Sequence, residues 1–208
     1  MPQLVIDVVS DVVCPWCYIG KRRLEAALEA ALEGEALIRW RPFQLDATIP
    51  PEGLDRRAYM RAKFGDGPRL AEVHARLKAL GEEVGVAFDF EAIQRAPNTL
   101  DAHRLIRFAT EAGLGDAMVE RLFADYFEHG RDIGDHAVLA QAADACGLGD
   151  IAARFESQDG VAEVGEEIAA AQRMGVEGVP FFVFAEKYAL SGAQPVEVFQ
   201  QALAQARA

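Results

Sequence analysis

The chain has 208 residues, of which 51% are hydrophobic, and a formal net charge of −12. This size suits one large domain, or a domain with an insertion, that buries a sizeable core. The acidic excess argues against a nucleic-acid partner and against an anionic membrane surface, because no surplus of Lys and Arg is present to neutralise phosphates.

The first predicted elements form a β-α-β unit. Residues 4–9, LVIDVV, are almost continuously apolar and rich in Val and Ile, which predicts a strand buried on both faces. Leu24, Leu28 and Leu32 then recur every four residues, as on one face of a helix. Residues 38–43, IRWRPF, predict a second strand that is parallel to the first through the intervening helix.

A helical block follows, and the chain then returns to strands. Nearly every segment from about Asp55 to Met174 has helical periodicity and helical start and stop residues. The C-terminal part predicts two strands at 181–184 and 188–190, a tight turn at Glu186–Lys187 between them, and a helix beginning at Pro195.

This order of elements predicts an α/β fold with an insertion. Right-handed crossover connections place the strands from both ends of the chain in one sheet. We therefore expect residues 1–54 and 176–208 to form one domain and residues 55–175 to form an inserted, all-helical domain.

The N-terminus and the cysteine content predict a cytoplasmic protein. The apolar start of the chain lacks a basic segment and is interrupted by Asp7 and Asp11, unlike a signal peptide. No apolar run approaches the roughly 18 to 20 residues that span a bilayer. Three cysteines are too few for a disulfide framework, so a closely spaced pair in a cytoplasmic chain is catalytic or binds a metal.

Such a pair occurs in SDVVCPWCYIGKRR, residues 10–23, between the first predicted strand and helix. At a helix start, free backbone N–H groups and the helix dipole would stabilise the thiolate of Cys14. Pro15 suits the first helical turn, and Cys17, three residues on, returns to the same face. The pattern therefore favours thiol–disulfide exchange with an exposed, reactive Cys14.

A zinc half-site and an inert pair are the alternatives. A structural zinc site usually adds a second closely spaced pair of ligands, whereas here Cys146 and four scattered histidines remain, at positions 74, 103, 129 and 136. Cys146 itself, near a helix end and facing alanines, is most simply a small buried residue.

Two further features bear on the cysteine pair. Val179–Pro180 precedes the third predicted strand, where proline belongs at an edge or a tight turn and where a cis bond is usually structural. Asp7 lies in the first strand and is either a proton shuttle for Cys17 or an acid bonded to the backbone.

Together, these motifs resemble the DsbA family of thioredoxin-like proteins. CPWC on the first helix, a long helical insertion and GVP before the next strand carry the resemblance. The segments SDVVCPWCYIGKRR, PFQLD, NTLDAHRL, GVEGVPFFVF and SGAQP are similar to the cytoplasmic FrnE-like branch.

The resemblance implies a thioredoxin fold with an inserted helical domain and dithiol–disulfide oxidoreductase activity. It makes Cys14 the nucleophile and Cys17 the resolving cysteine, in a redox-active disulfide that needs no bound cofactor. It also implies that a loop with a cis Pro180 faces Cys14. Substrate contacts would come from Pro15, Trp16, Val179 and Pro180. The implied partners are a thiol or disulfide substrate, glutathione being one candidate co-substrate, and a cellular reductant.

Trp16 departs from the pattern of the periplasmic oxidase that names the family, which has a histidine there. Because Trp16 carries no charge, it stabilises the thiolate less, which favours a reductase or isomerase over an oxidase. The alternative function is that of a glutathione-dependent isomerase or transferase, of the 2-hydroxychromene-2-carboxylate isomerase or kappa type. Those related enzymes usually carry serine at the catalytic position, so the presence of both Cys14 and Cys17 counts against it.

Overall fold

The computed structural model describes residues 4–31, 36–65 and 67–207. The elements in chain order are β1 (Leu4–Ser10), α1 (Pro15–Ala30), β2 (Ala36–Pro42), β3 (Leu54–Asp55), α2 (Arg56–Phe64), α3 (Arg69–Glu83), β4 (Arg95–Ala96), α4 (Leu100–Glu111), α5 (Gly115–Phe127), α6 (His136–Ala145), α7 (Ala152–Glu156), α8 (Val161–Arg173), β5 (Phe181–Phe184), β6 (Tyr188–Ser191) and α9 (Val196–Arg207). In the described ranges, no helix is long and apolar enough to cross a membrane.

The chain divides into two compact units. Unit 1 contains Met1–Leu45 and Glu167–Ala208, and unit 2 contains Asp46–Glu166. The sequence predicted an inserted domain at 55–175, which begins and ends about nine residues later than unit 2 does. Helix α8 runs without a break through the second division, and its Ala171 packs with Val9 and Phe43 of unit 1. Because helical periodicity continues across the division, the sequence pattern contains no signal for it.

Unit 1 contains a sheet with the strand order β2-β1-β5-β6. The predicted parallel pairing of β1 and β2 is confirmed, while β5 pairs antiparallel with both β1 and β6. The turn between β5 and β6 lies one residue earlier than predicted, because Ala185 and Glu186 adopt positive φ angles of 51° and 57°.

The two faces of β1 pack against different helices. Side chains of a strand alternate between its faces. Leu4, Ile6 and Val8 pack in a core cluster with residues of α1 and α9, including Leu24, Ala27, Phe199 and Leu203. Val9 belongs to a separate cluster with Phe43 and with Ala171 of α8. Even-numbered positions of β1 therefore face α1, and odd-numbered positions face α8.

Unit 2 is mostly helical, as predicted, and its longest irregular stretch joins α3 to α4. Helices α2 to α7 lie within it, and β3 pairs antiparallel with β4. The stretch from 84 to 99 contains no helix. Within it, Phe88 and Phe90 stack at 5.1 Å between ring centroids, and Phe88 meets Phe127 of α5 edge-on at 5.4 Å. Burial of these rings fixes the backbone there in place of helical hydrogen bonds.

Candidate active site

The cysteine pair lies where β1 leads into α1. The backbone amide of Cys14 donates to Asp11 O at 3.0 Å, which closes a tight turn between strand and helix. Cys14 is the N-cap residue, with an extended backbone, and Pro15 is the first residue of the helix. No acidic side chain lies in the first turn of α1. The Cys14 sulfur therefore lies at a helix N-terminus, where backbone N–H groups and the helix dipole favour negative charge.

Both thiols are reduced and buried in this structure. Cys14 and Cys17 are not bonded to each other, and they are 3% and 2% exposed. The sequence argument expected an exposed Cys14, but its sulfur is covered by its contact with a loop from the C-terminal part of the chain. Burial raises the pKa of Cys17 well above its ordinary value, and the neighbouring Cys14 raises it further. Cys17 is therefore a neutral thiol at neutral pH.

The loop that covers Cys14 contains the predicted proline. The Val179–Pro180 peptide bond is cis. The Cys14 thiol donates to Val179 O, with 3.6 Å between sulfur and oxygen. Pro180 is buried, and its carbonyl accepts a hydrogen bond from Gly192 N at 2.8 Å. Residues that are 165 positions apart in the chain thus form one site.

Gly20 brings α1 close to this loop. It lies on α1, one turn beyond the cysteines, and is buried. A β-carbon at this position would lie 3.1 Å from Pro180 Cγ and 3.1 Å from Phe182 Cζ, which is closer than ordinary van der Waals contact. Sequence analysis did not single out Gly20, because a glycine inside a helical pattern does not reveal what packs against it.

The other predicted contact residues flank the cysteines. Pro15 and Trp16 occupy the first turn of α1, and Val179 lies across from Cys14; all three are half-buried. Their role in substrate binding stays a prediction. Cys146 lies apart from these residues in sequence and belongs to unit 2, where its thiol donates to Ala117 O at 3.7 Å. Burial raises the pKa of Cys146.

Asp7 is held away from the resolving cysteine. As an odd-numbered residue of β1 it faces away from α1, and its carboxylate accepts hydrogen bonds from Arg39, at 2.6 and 2.9 Å, and from Arg41, at 2.7 Å. The groups that act on the Cys17 thiol are instead Cys14, the Ser10 hydroxyl and the backbone of Asp11. The structure therefore gives no support to a proton shuttle through Asp7.

Ser10 is the residue of this site that sequence analysis missed. It ends β1 at an even-numbered position and is 5% exposed. The alternation of β1 could have indicated it, had the face toward α1 been known.

Across the described ranges, no three His, Cys, Asp or Glu side chains are grouped so that they could hold a metal ion.

Comparison with solved structures finds the same fold in oxidoreductases and in an isomerase. A probable DsbA oxidoreductase from Streptomyces coelicolor, SCO1869, is 31% identical, with a TM-score of 0.89 over 99% of this chain and 90% of that one. The cytosolic disulfide reductase DsbM from Pseudomonas aeruginosa, solved with GSH, is 20% identical, with a TM-score of 0.70 over 98% of this chain and 100% of that one. A 2-hydroxychromene-2-carboxylate isomerase is 16% identical, with a TM-score of 0.72 over 97% and 95% of the two chains.

A family model extends over nearly the whole sequence. The model described as DSBA-like thioredoxin domain matches residues 5–204. That range includes the Cys14–Cys17 pair, the helical unit and the Pro180 loop. The protein therefore belongs to the DSBA-like thioredoxin domain family.

Proposed function

We propose that this protein is a dithiol–disulfide oxidoreductase in which Cys14 attacks a substrate disulfide and Cys17 resolves the product. One observation carries the proposal: two reduced cysteines occupy the start of α1, and the first contacts the carbonyl that precedes the cis-proline. The placement at the helix N-terminus favours Cys14 as the attacking thiolate. The raised pKa of Cys17 keeps that thiol protonated until a mixed disulfide has formed.

The reaction balances as a two-electron exchange. The Cys14 thiolate displaces the Val179 contact and attacks one sulfur of the substrate disulfide, which forms a mixed disulfide and releases one substrate thiolate. Cys17 then gives up its proton and attacks the Cys14 sulfur, which releases the second substrate thiolate. The substrate disulfide is reduced to two thiols, and the protein thiols are oxidised to a disulfide.

One feature favours reduction or isomerisation over oxidation. Trp16 supplies no positive charge beside the Cys14 thiolate, and reductases and isomerases depend on a readily regenerated dithiol.

Pro15, Trp16, Val179 and Pro180 are the substrate contacts in this proposal. The DsbM structure was solved with GSH, so glutathione is the first small thiol to test as co-substrate or reductant. We propose a cytoplasmic protein. Its net charge of −12 disfavours a nucleic-acid or membrane partner.

The isomerase alternative is compatible with the fold of this chain. Fold similarity at 16% identity to a 2-hydroxychromene-2-carboxylate isomerase does not distinguish the two functions. The paired thiols favour the oxidoreductase, because an enzyme that only activates bound glutathione has no use for a resolving cysteine next to its catalytic group.

Insulin reduction by dithiothreitol tests the proposal, with Cys14→Ser and Cys17→Ser as matched single-atom replacements. The wild type should accelerate insulin precipitation, and Cys14→Ser should abolish the acceleration. Cys17→Ser should retain the attacking thiol but lose the intramolecular attack that resolves the mixed disulfide. Thiols in solution cannot match the effective concentration of Cys17 beside Cys14. This variant should therefore accumulate mixed disulfides that appear on a non-reducing gel and disappear with reductant.

The two variants separate the roles of the cysteines. Trapping by Cys14→Ser in place of Cys17→Ser would reverse the assignment. Full activity of both variants would refute the proposed function, as would wild-type protein that binds glutathione yet neither reduces insulin nor forms mixed disulfides.

A further inference from the structure

The Ser10 hydroxyl is a buried polar group without an evident structural purpose. Ser10 is 5% exposed, and its Oγ makes no hydrogen bond with acceptable distance and angle. Its backbone carbonyl, by contrast, accepts from Phe43 N at 3.0 Å. Buried hydroxyl groups are nearly always hydrogen-bonded, so an exception calls for an explanation, and one explanation is a role in the reaction.

The location of this hydroxyl points to the resolving cysteine. Ser10 continues the even-numbered series of β1, whose preceding members Ile6 and Val8 pack against α1. On α1, Cys17 is 2% exposed, and its sulfur lies beside the Ser10 hydroxyl and the backbone amide of Asp11. Each of these two groups lowers the pKa of Cys17 and so opposes the effect of burial.

Building on the proposed function, we infer that Ser10 donates a hydrogen bond to the Cys17 thiolate while that thiolate attacks the mixed disulfide. No hydrogen bond of ordinary geometry joins the Ser10 hydroxyl to the neutral thiol in this structure. A sulfur that gains negative charge is a much stronger acceptor, and bonds to charged groups are about twice as strong as neutral ones. Ser10 thus acts when charge develops on Cys17.

The step remains balanced with this assignment. The Cys17 thiol releases its proton to solvent, the resulting thiolate forms the Cys14–Cys17 bond, and the bond from Cys14 to the substrate sulfur breaks, so that this sulfur leaves as a thiolate. Ser10 keeps its own proton throughout and supplies only the hydrogen bond. It lowers the barrier of the resolving step and leaves the initial attack by Cys14 unaffected.

The charged groups near Cys17 are engaged elsewhere. Oδ2 of the Asp11 carboxylate accepts from Leu45 N at 2.8 Å, and the buried ammonium of Lys21, one turn further along α1, is bonded to Glu25. Asp7 is paired with arginines of β2. The other titratable group next to Cys17 is Cys14, whose sulfur is part of the mixed disulfide at this step. The pH dependence of resolution therefore reports on Cys17 itself.

Rapid mixing of the reduced protein with dithiobis(nitrobenzoate) measures the two steps separately. Attack by Cys14 releases the first coloured thiolate, and ring closure by Cys17 releases the second. Ser10→Thr and Ser10→Val form a matched pair, because the two side chains have the same shape and only threonine has the hydroxyl. Ser10→Ala, compared with the wild type, gives the same contrast without added volume, and Cys17→Ser shows the first release alone.

We expect the second release to be about threefold to tenfold slower in Ser10→Val than in Ser10→Thr, and in Ser10→Ala than in the wild type. Its pH midpoint should move upward in both cases, while the first release keeps its rate. Equal second rates within each pair would overturn the inference, as would an equal slowing of both releases, which indicates a packing defect. If the wild type itself shows no second release, the proposed function fails before the role of Ser10 is reached.

Discussion

Replacement of Gly20 by alanine tests the packing that holds α1 against the Pro180 loop. The added methyl group would lie 3.1 Å from Pro180 Cγ and 3.1 Å from Phe182 Cζ, with Ala193 Cβ at 3.6 Å. Neither close neighbour is the end of a flexible side chain, since one is a proline ring and the other is a buried aromatic ring. The rings and their backbone must therefore shift by a few tenths of an ångström.

Two opposing effects set the size of the change. Alanine in place of glycine inside a helix stabilises by about 0.5–1 kcal/mol, because it restricts the unfolded chain. Overpacking in a close-packed core costs about 1–3 kcal/mol. We expect the second effect to exceed the first, so that Gly20→Ala lowers the free energy of unfolding by about 1 kcal/mol.

Gly165 is the matched control. It lies within α8, has an ordinary helical backbone, and would have no heavy atom within 4 Å of an added β-carbon. Gly165→Ala should therefore benefit from the higher helix propensity of alanine without a packing cost, and raise the free energy of unfolding by about 0.5–1 kcal/mol. Urea unfolding followed by far-ultraviolet circular dichroism measures both variants. The difference between them isolates the packing cost at Gly20.

Agreement of the two alanine variants within about 0.5 kcal/mol would refute this expectation. That result would mean that the contact between α1 and the Pro180 loop is loose enough to admit a methyl group. A slower reduction of insulin by Gly20→Ala, with no change in Gly165→Ala, is the accompanying functional expectation.

Two further predictions concern charge. Because the pKa of Cys17 is raised in the folded state, the unfolded chain loses this proton first as pH rises. Above about pH 9, the free energy of unfolding of the reduced wild type should therefore fall by up to about 1.4 kcal/mol per pH unit relative to Cys17→Ser. If urea unfolding gives the same pH dependence for both proteins, the burial of this thiol is contradicted. Asp7→Asn should lower the free energy of unfolding by about 1 kcal/mol, since the ion pairs with Arg39 and Arg41 are partly exposed, and insulin reduction should stay at the wild-type rate. A large loss of insulin reduction at unchanged stability would restore the proton-shuttle hypothesis.

Local sequence was enough to predict the arrangement of strand, helix and cysteines at the start of α1. An apolar β-branched run followed by a cysteine, a proline that fits the first helical turn and a second cysteine three residues later specifies a strand, a helix start and two thiols on one face. These features depend on neighbours within a few residues, and the structure has them where the sequence predicted them.

Long-range packing decided the rest. Chain order and the family resemblance placed the Val179–Pro180 loop opposite Cys14, but the antiparallel pairing of β5 with β1 is what brings Val179 O to 3.6 Å from the Cys14 sulfur. The same pairing places Gly20 against Pro180 and Phe182, and nothing in the local pattern of α1 records that contact.

The roles of Asp7 and Ser10 show the physical limit most clearly. Because β1 is apolar on both faces, alternation separates its odd and even positions but does not say which set faces α1. The sequence therefore left Asp7 as a candidate partner of Cys17, and Ser10 went unnoticed. The fold turned Asp7 toward Arg39 and Arg41 and left the Ser10 hydroxyl beside Cys17, since only the packing of helices on the two sides of a buried sheet distinguishes its faces.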